Sequence, residues 1–161
     1  MASDSDIAAV TRLLGRPPLA DFDVAVRREN GEPVVIRNAA LLRDGTPMPT
    51  RYWLVDRDLT FAISRLESGG AVRRIEAELD PVEVQAAHDR YATERETAIP
   101  VGHIGARPSG GVGGTARGLK CLHAHYAVWL VAGDDPVGAR VHELLNTESA
   151  SKACLEPKVP R

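Results

Sequence analysis

One cysteine and two histidines alternate in the stretch GGTARGLKCLHAHYA, residues 113–127. Thiolate sulfur and imidazole nitrogen are ligands that zinc prefers, and the same side chains can act as a nucleophile and its base. In a strand, Cys121, His123 and His125 would share one face. In a helix, Cys121 and His125 are about 40° apart, whereas His123 lies about 200° from Cys121. The secondary structure therefore decides which of the three side chains can meet.

The stretch 119–132 is apolar on nearly every side and about 14 residues long, which predicts a buried helix rather than a strand. We therefore expect Cys121 and His125 to form the catalytic or ligating pair, with His103 and His123 as further metal ligands. Zinc or iron is the expected cofactor. The alternative is structural: Cys121 is a small core residue and the histidines are hydrogen-bonded inside the fold.

A glycine-rich loop precedes this helix, with seven glycines among the 17 residues 102–118. Such a loop exposes backbone N–H groups at a helix N-terminus, where the helix dipole favours an anion. Gly113, Gly114, Arg117 and Lys120 are therefore predicted to bind phosphate or carboxylate. The spacing fits neither a Walker loop nor a C-x5-R phosphatase loop. The alternative is a mobile surface loop without a ligand.

Local patterns predict the elements that must position these residues. Residues 4–14 fit a helix that Asp4 or Ser5 caps. Alternating apolar residues on either side of Asn30-Gly31 predict a β-hairpin with a two-residue type I′ turn, because both turn positions need positive φ. Further along the chain we expect a strand at 52–55, helices at 59–66, 71–79 and 81–97, and a helix after Asp135-Pro136.

Two short clusters have uses that the sequence leaves open. The stretch PMPTRYWL, residues 47–54, places a tyrosine and a tryptophan together in a chain where aromatic residues make up only 4%. This cluster forms either a corner of the core or the wall of a ligand site. The turn GDDPVG, residues 133–138, carries two adjacent acids, for which a helix cap is the simplest role and a metal or arginine partner is the alternative.

The predicted fold class is α+β: a mainly helical single domain with an N-terminal β-hairpin and a glycine-rich loop leading into a buried helix. The chain has 161 residues, which suits one domain with a sizeable core. We assign residues 1–146 to this domain and residues 147–161, which are polar and small, to a flexible C-terminal tail.

Composition limits the partners. The formal net charge is −2, so the chain lacks the basic surplus that binding to nucleic acid requires. The longest apolar run, residues 126–132, is far shorter than a membrane span. The N-terminus does not resemble a signal peptide, and the two cysteines do not suggest a secreted disulfide scaffold. We therefore expect a cytoplasmic protein whose partner is a metal ion or a small anionic ligand.

The motifs GGTARGLKCLHAHYA…GDDPVG and PMPTRYWLVD…AISRLESGG resemble those of DUF501, a bacterial family of unknown function. The resemblance covers residues 7–146. It implies a small cytoplasmic protein, encoded in actinobacteria near an exopolyphosphatase-type enzyme and a septum-formation-initiator-type protein, and it transfers no catalytic residue. Two functions follow as expectations. One is a polar Cys/His site that binds a metal or an anion and is hydrolytic; the alternative is a non-enzymatic interaction module linked to cell division or phosphate metabolism.

Overall fold

A computed structural model describes the backbone of residues 1–154 and the side chains of residues 1–147. Within this range, six α-helices accompany one three-stranded sheet, so the expected α+β class with a mainly helical single domain is confirmed. The elements in chain order are α1 Asp4–Leu14, β1 Phe22–Arg27, β2 Pro33–Asn38, β3 Tyr52–Leu54, α2 Arg57–Ser68, α3 Ala71–Glu78, α4 Pro81–Thr97, a 3₁₀ turn Val112–Gly114, α5 Leu122–Ala132 and α6 Pro136–Cys154.

The hairpin of β1 and β2 forms as predicted, and β3 joins it to give an antiparallel sheet in the order β1-β2-β3. The predicted type I′ turn is wrong. Gly31 has φ +86°, but no residue other than glycine has positive φ in the described part of the chain, so Asn30 does not adopt it. Instead, the N–H of Gly31 donates to the carbonyl of Arg28, and the N–H of Arg28 donates to the carbonyl of Glu32. The loop is therefore longer, and it needs only one left-handed residue.

Helix α1 has the predicted bounds but a different cap. The Ser3 side chain accepts from the N–H of Asp6, while the Asp6 carboxylate accepts from the N–H of Ser3. This reciprocal capping box satisfies two donors that would otherwise lack partners. Helix α1 then packs through Val10 against the sheet residues Phe22 and Ile36.

Helix α5 begins at Leu122, three residues later than the apolar pattern predicts. Cys121 is its N-cap and has an extended backbone, with φ −144° and ψ 112°. Two glutamates from elsewhere in the chain hold this start: the N–H of Leu119 donates to Glu76 and that of Leu122 donates to Glu67. Cys121 therefore lies before the first helical residue, and the helical spacing that predicted its pairing with His125 does not apply to it.

Helix α5 is the central element of the main core. It packs against β3, α2 and α6, and its residues Leu122, Tyr126 and Ala127 are buried. Helix α6 continues to Cys154, so the segment predicted as a flexible tail, 147–161, is helical over its first part. Residues 155–161 lie outside the described residues. No helix of the described chain is both long enough and apolar enough to cross a membrane.

Candidate metal centre

Three possible metal ligands meet where α5 begins beside the end of α2. Cys121 is the N-cap of α5, His123 lies in its first turn, and Glu67 lies in the last turn of α2. His123 Nδ1 is 3.9 Å from Cys121 Sγ and 3.3 Å from Glu67 Oε1. One ligand atom from each residue lies within 4.8 Å of the other two. All three residues are partly buried, which leaves one side of the cluster accessible.

Contacts on the far side of the His123 ring determine which ring nitrogen carries the hydrogen and which one can accept or ligate within the cluster. Its Nε2 is 3.0 Å from the carbonyl oxygen of Thr60 and 3.2 Å from Ser64 Oγ. A carbonyl oxygen only accepts, so Nε2 carries a hydrogen. In the neutral imidazole, Nδ1 then presents its lone pair to the thiol and the carboxylate. A histidine bound to a metal has this arrangement, in which the second nitrogen donates to a backbone carbonyl.

The separations of His123 from Cys121 and from Glu67 suit a tetrahedral zinc ion. Zinc binds sulfur at about 2.3 Å and nitrogen or oxygen at about 2.0–2.2 Å, so tetrahedral geometry places N and S about 3.5 Å apart and N and O about 3.3 Å apart. The observed 3.3 Å between His123 and Glu67 matches this spacing. The observed 3.9 Å between His123 and Cys121 needs a closure of only a few tenths of an ångström.

In the metal-free chain, the same contacts favour a thiolate beside an imidazolium. Desolvation, the strongest influence on Cys121, raises the pKa of its thiol. Hydrogen bonds from His123 and from the backbone of Ala124 outweigh it, so that the pKa is lowered overall. The hydrogen bond to Cys121, opposed by desolvation, raises the pKa of His123 to about 9. A lowered thiol pKa also favours metal binding, because zinc takes the thiolate form.

A cavity of about 560 Å³ adjoins Cys121 and His123. Its volume falls within the range of small-molecule sites. Trp53 lines it and Tyr52 contributes beside it, so the aromatic cluster that the sequence left open provides a wall of this cavity. The complete lining is Leu19, Met48, Pro49, Thr50, Tyr52, Trp53, Leu54, Gly113, Gly114, Lys120, Cys121, His123 and Ala124.

The predicted anion-binding residues divide into two groups. Gly113, Gly114 and Lys120 line the cavity, whereas Arg117 is exposed and is not part of its lining. One backbone donor at this end of α5 is already engaged, because the N–H of Leu122 is 2.7 Å from Glu67 Oε1. A carboxylate of the chain itself therefore lies at this helix N-terminus. Anion binding at the four predicted residues stays a prediction.

Comparison with known proteins identifies the family. The family model for DUF501, described as a protein of unknown function, matches residues 24–143. The chain belongs to the DUF501 family. This confirms the resemblance drawn from the motifs. Searches of curated proteins and of solved structures gave no match. The family description names no activity, so the function of this DUF501 chain must be argued from its own geometry.

The structure does not bring His125 of this DUF501 chain to the cluster. Its ring is fully buried, and Nδ1 lies 2.8 Å from Asp135 Oδ2. The ring also packs edge-on against His88, with 5.4 Å between the ring centroids. Cys121 is paired with His123 instead, because the late start of α5 frees Cys121 from the helical spacing that predicted the pair Cys121–His125.

His103 is the other predicted ligand that stands apart. Its Nε2 is 3.1 Å from the carbonyl oxygen of Ala106 within the glycine-rich loop. Glu67, in contrast, belongs to the cluster although the sequence analysis did not select it. It is one of 22 acidic residues in the chain, and its local sequence, SRLESGG, resembles the exposed end of an ordinary amphipathic helix. Only the packing of α2 against α5 distinguishes it.

Proposed function

We propose that this chain binds one zinc ion through Cys121, His123 and Glu67, and that it uses the ion to hydrolyse a small ligand held in the adjacent cavity. The supporting observation is the His123 ring: Nε2 contacts the Thr60 carbonyl, and Nδ1 faces a thiol and a carboxylate at distances that suit tetrahedral zinc. Zinc fits this soft and borderline ligand set better than the other expected metal, iron.

Three protein ligands leave one coordination position for water or substrate, which is typical of catalytic rather than structural zinc sites. A zinc ion in such a site lowers the pKa of a bound water to about 7 and polarises a carbonyl group. The cavity is lined by Cys121 and His123, so a ligand bound there would lie beside two of the residues that would hold the metal. The reaction class that these features favour is hydrolysis.

The surrounding residues have positioning functions in this proposal. The Thr60 carbonyl and the Ser64 hydroxyl orient the His123 ring, and the N–H of Leu122 orients the Glu67 carboxylate. Outer contacts of this kind commonly change metal affinity by about 10–100-fold when they are removed. A ligating thiol must also stay reduced, which is in keeping with the cytoplasmic location that we propose.

The test is elemental analysis of the full chain, purified without a histidine tag or chelator and then supplied with zinc. We expect about one equivalent of zinc in the wild type. Cys121→Ser and Glu67→Gln should lose it while they keep a wild-type circular dichroism spectrum.

His103→Gln is the matched control, because it removes a predicted ligand that lies outside the cluster. It should retain the metal. A wild-type protein that takes up no zinc would refute the proposal. So would a loss of zinc from His103→Gln equal to that from Cys121→Ser.

A further inference from the structure

The cavity beside the metal centre has mainly apolar walls. Met48, Trp53 and Leu54 line its side, and Leu19 stands at its edge with 64% of its surface exposed. Covering an exposed leucine beside an apolar wall with a ligand lowers the free energy, because apolar surface is removed from water. The lining therefore favours a ligand with a substantial apolar group over a fully hydrated ion.

One lysine lies in the lining beside this apolar wall. Lys120 is the one Lys or Arg side chain in the lining, which contains no Asp or Glu, and within the described side chains no carboxylate lies within 4 Å of its ammonium group. A second cation, the Arg16 guanidinium, lies 5.2 Å from the centre of the ring of Trp53, which is itself a lining residue. A lysine ammonium beside an apolar surface favours ligands that carry a negative charge next to an apolar group.

The same site is poorly equipped for free phosphate. Phosphate sites usually combine several donors, such as an arginine fork or the backbone N–H groups of a helix N-terminus. Here the N–H of Leu122 is taken by Glu67, and Arg117 does not reach the cavity lining. One lysine ammonium matches a singly charged carboxylate better than a phosphate dianion.

We propose that the cavity binds carboxylates that carry an aliphatic or aromatic chain, with the chain against Trp53 and Leu19 and the carboxylate at Lys120. This inference rests on the proposed function, because it names the substrate class of the same site. A bond to be hydrolysed would lie between the two recognised ends, near Cys121 and His123.

The test is an NMR titration of the full chain with three probes: octanoate, octylammonium and inorganic phosphate. Octanoate should bind at least about tenfold more tightly than octylammonium, because the two share a chain length and differ in charge beside Lys120. Octanoate should also bind more tightly than phosphate, which lacks the chain. Equal binding of octanoate and octylammonium, or tighter binding of phosphate, would overturn the inference.

Two variants locate the contacts. Lys120→Glu should weaken octanoate binding about tenfold, and Leu19→Ser, at an exposed position, should weaken it about fivefold. Arg117→Glu makes the same charge change in the same loop but outside the lining, so it should change the affinity less than about twofold. If Arg117→Glu and Lys120→Glu have equal effects, the proposed contact with Lys120 is wrong.

The titration is run on both the zinc-loaded and the chelator-treated protein, with the metal content measured in each. Octanoate selectivity in a chain that never binds zinc would retain the ligand inference and reject the metal proposal. Stoichiometric zinc without octanoate selectivity would do the reverse. The two failures are therefore distinguishable.

Discussion

Adjacent aspartates in the turn GDDPVG should differ sharply in their contribution to stability. Asp135 is buried: its Oδ1 accepts from the N–H of Gly138 at the start of α6, and its Oδ2 is 2.8 Å from His125 Nδ1. Asp134 is half exposed and pairs with Arg90 at the surface, at 2.9 Å. Sequence context is nearly identical for the two residues, so a difference between them tests the tertiary contacts.

The expected cost of Asp135→Ala has two parts. Loss of the helix N-cap costs about 1 kcal/mol. A buried His125 without its hydrogen-bond partner costs about 1–3 kcal/mol more. The sum, about 2–4 kcal/mol, is a large part of the roughly 5–15 kcal/mol that stabilises a typical domain. Asp134→Ala removes only a surface ion pair and should cost at most about 1 kcal/mol.

Chemical denaturation followed by circular dichroism would measure both free energies of unfolding. Asp135→Asn provides a finer comparison, because its amide oxygen can still accept from Gly138. We expect its stability to lie between those of the wild type and Asp135→Ala. The reasoning is refuted if the free energy of unfolding of Asp135→Ala lies within about 0.5 kcal/mol of the wild-type value, or if Asp134→Ala is destabilised as much as Asp135→Ala.

Three further predictions concern packing, reactivity and the hairpin. Gly138→Ala should destabilise the chain by about 1–3 kcal/mol in the same assay, since the added methyl would lie 2.3 Å from Trp129 Cβ; unchanged stability would contradict this packing. In chelator-treated protein, alkylation of Cys121 should reach half its maximal rate below the pH typical of a free thiol, because the pKa of Cys121 is lowered. The variant His123→Gln should move this midpoint to higher pH. A midpoint that does not move would exclude the contact between His123 and Cys121. Gly31→Ala should cost about 1–2 kcal/mol, because its φ of +86° strains any residue with a Cβ, and a cost near zero would argue against this turn.

The elements of the fold were largely predictable because their signals are local. The predicted bounds of α1 agree with the structure, the predicted hairpin around Asn30-Gly31 forms, and α4 spans the predicted residues 81–97 with Asp80 as its cap. The errors occur where a distant group intervenes. The helix α5 starts at Leu122 instead of Leu119, and glutamates from α2 and α3 accept from the backbone N–H groups of Leu122 and Leu119.

The candidate site was predictable only in part, for the same reason. The sequence predicted Cys121 and His125 as the pair, with His103 and His123 as further ligands, and the structure brings Cys121 and His123 together. The sequence could not single out Glu67, because its neighbours in the chain resemble those of a solvent-exposed helix end. The apolar pattern also placed Cys121 inside the helix, and for that reason the prediction paired Cys121 with His125 instead of His123.

By itself, the sequence determined the α+β class, the family and the residue types available for chemistry. Hydrophobic periodicity, caps and turn residues act over a few positions, and they are visible in the chain as written. Only the tertiary structure decided which groups meet: Glu67 with His123, and Asp135 rather than Asp134 with His125. These contacts depend on how α2, α5 and α6 pack. Displacing a side chain by a few tenths of an ångström to a few ångströms is enough to break a metal contact or a buried hydrogen bond and leave the side chain solvated.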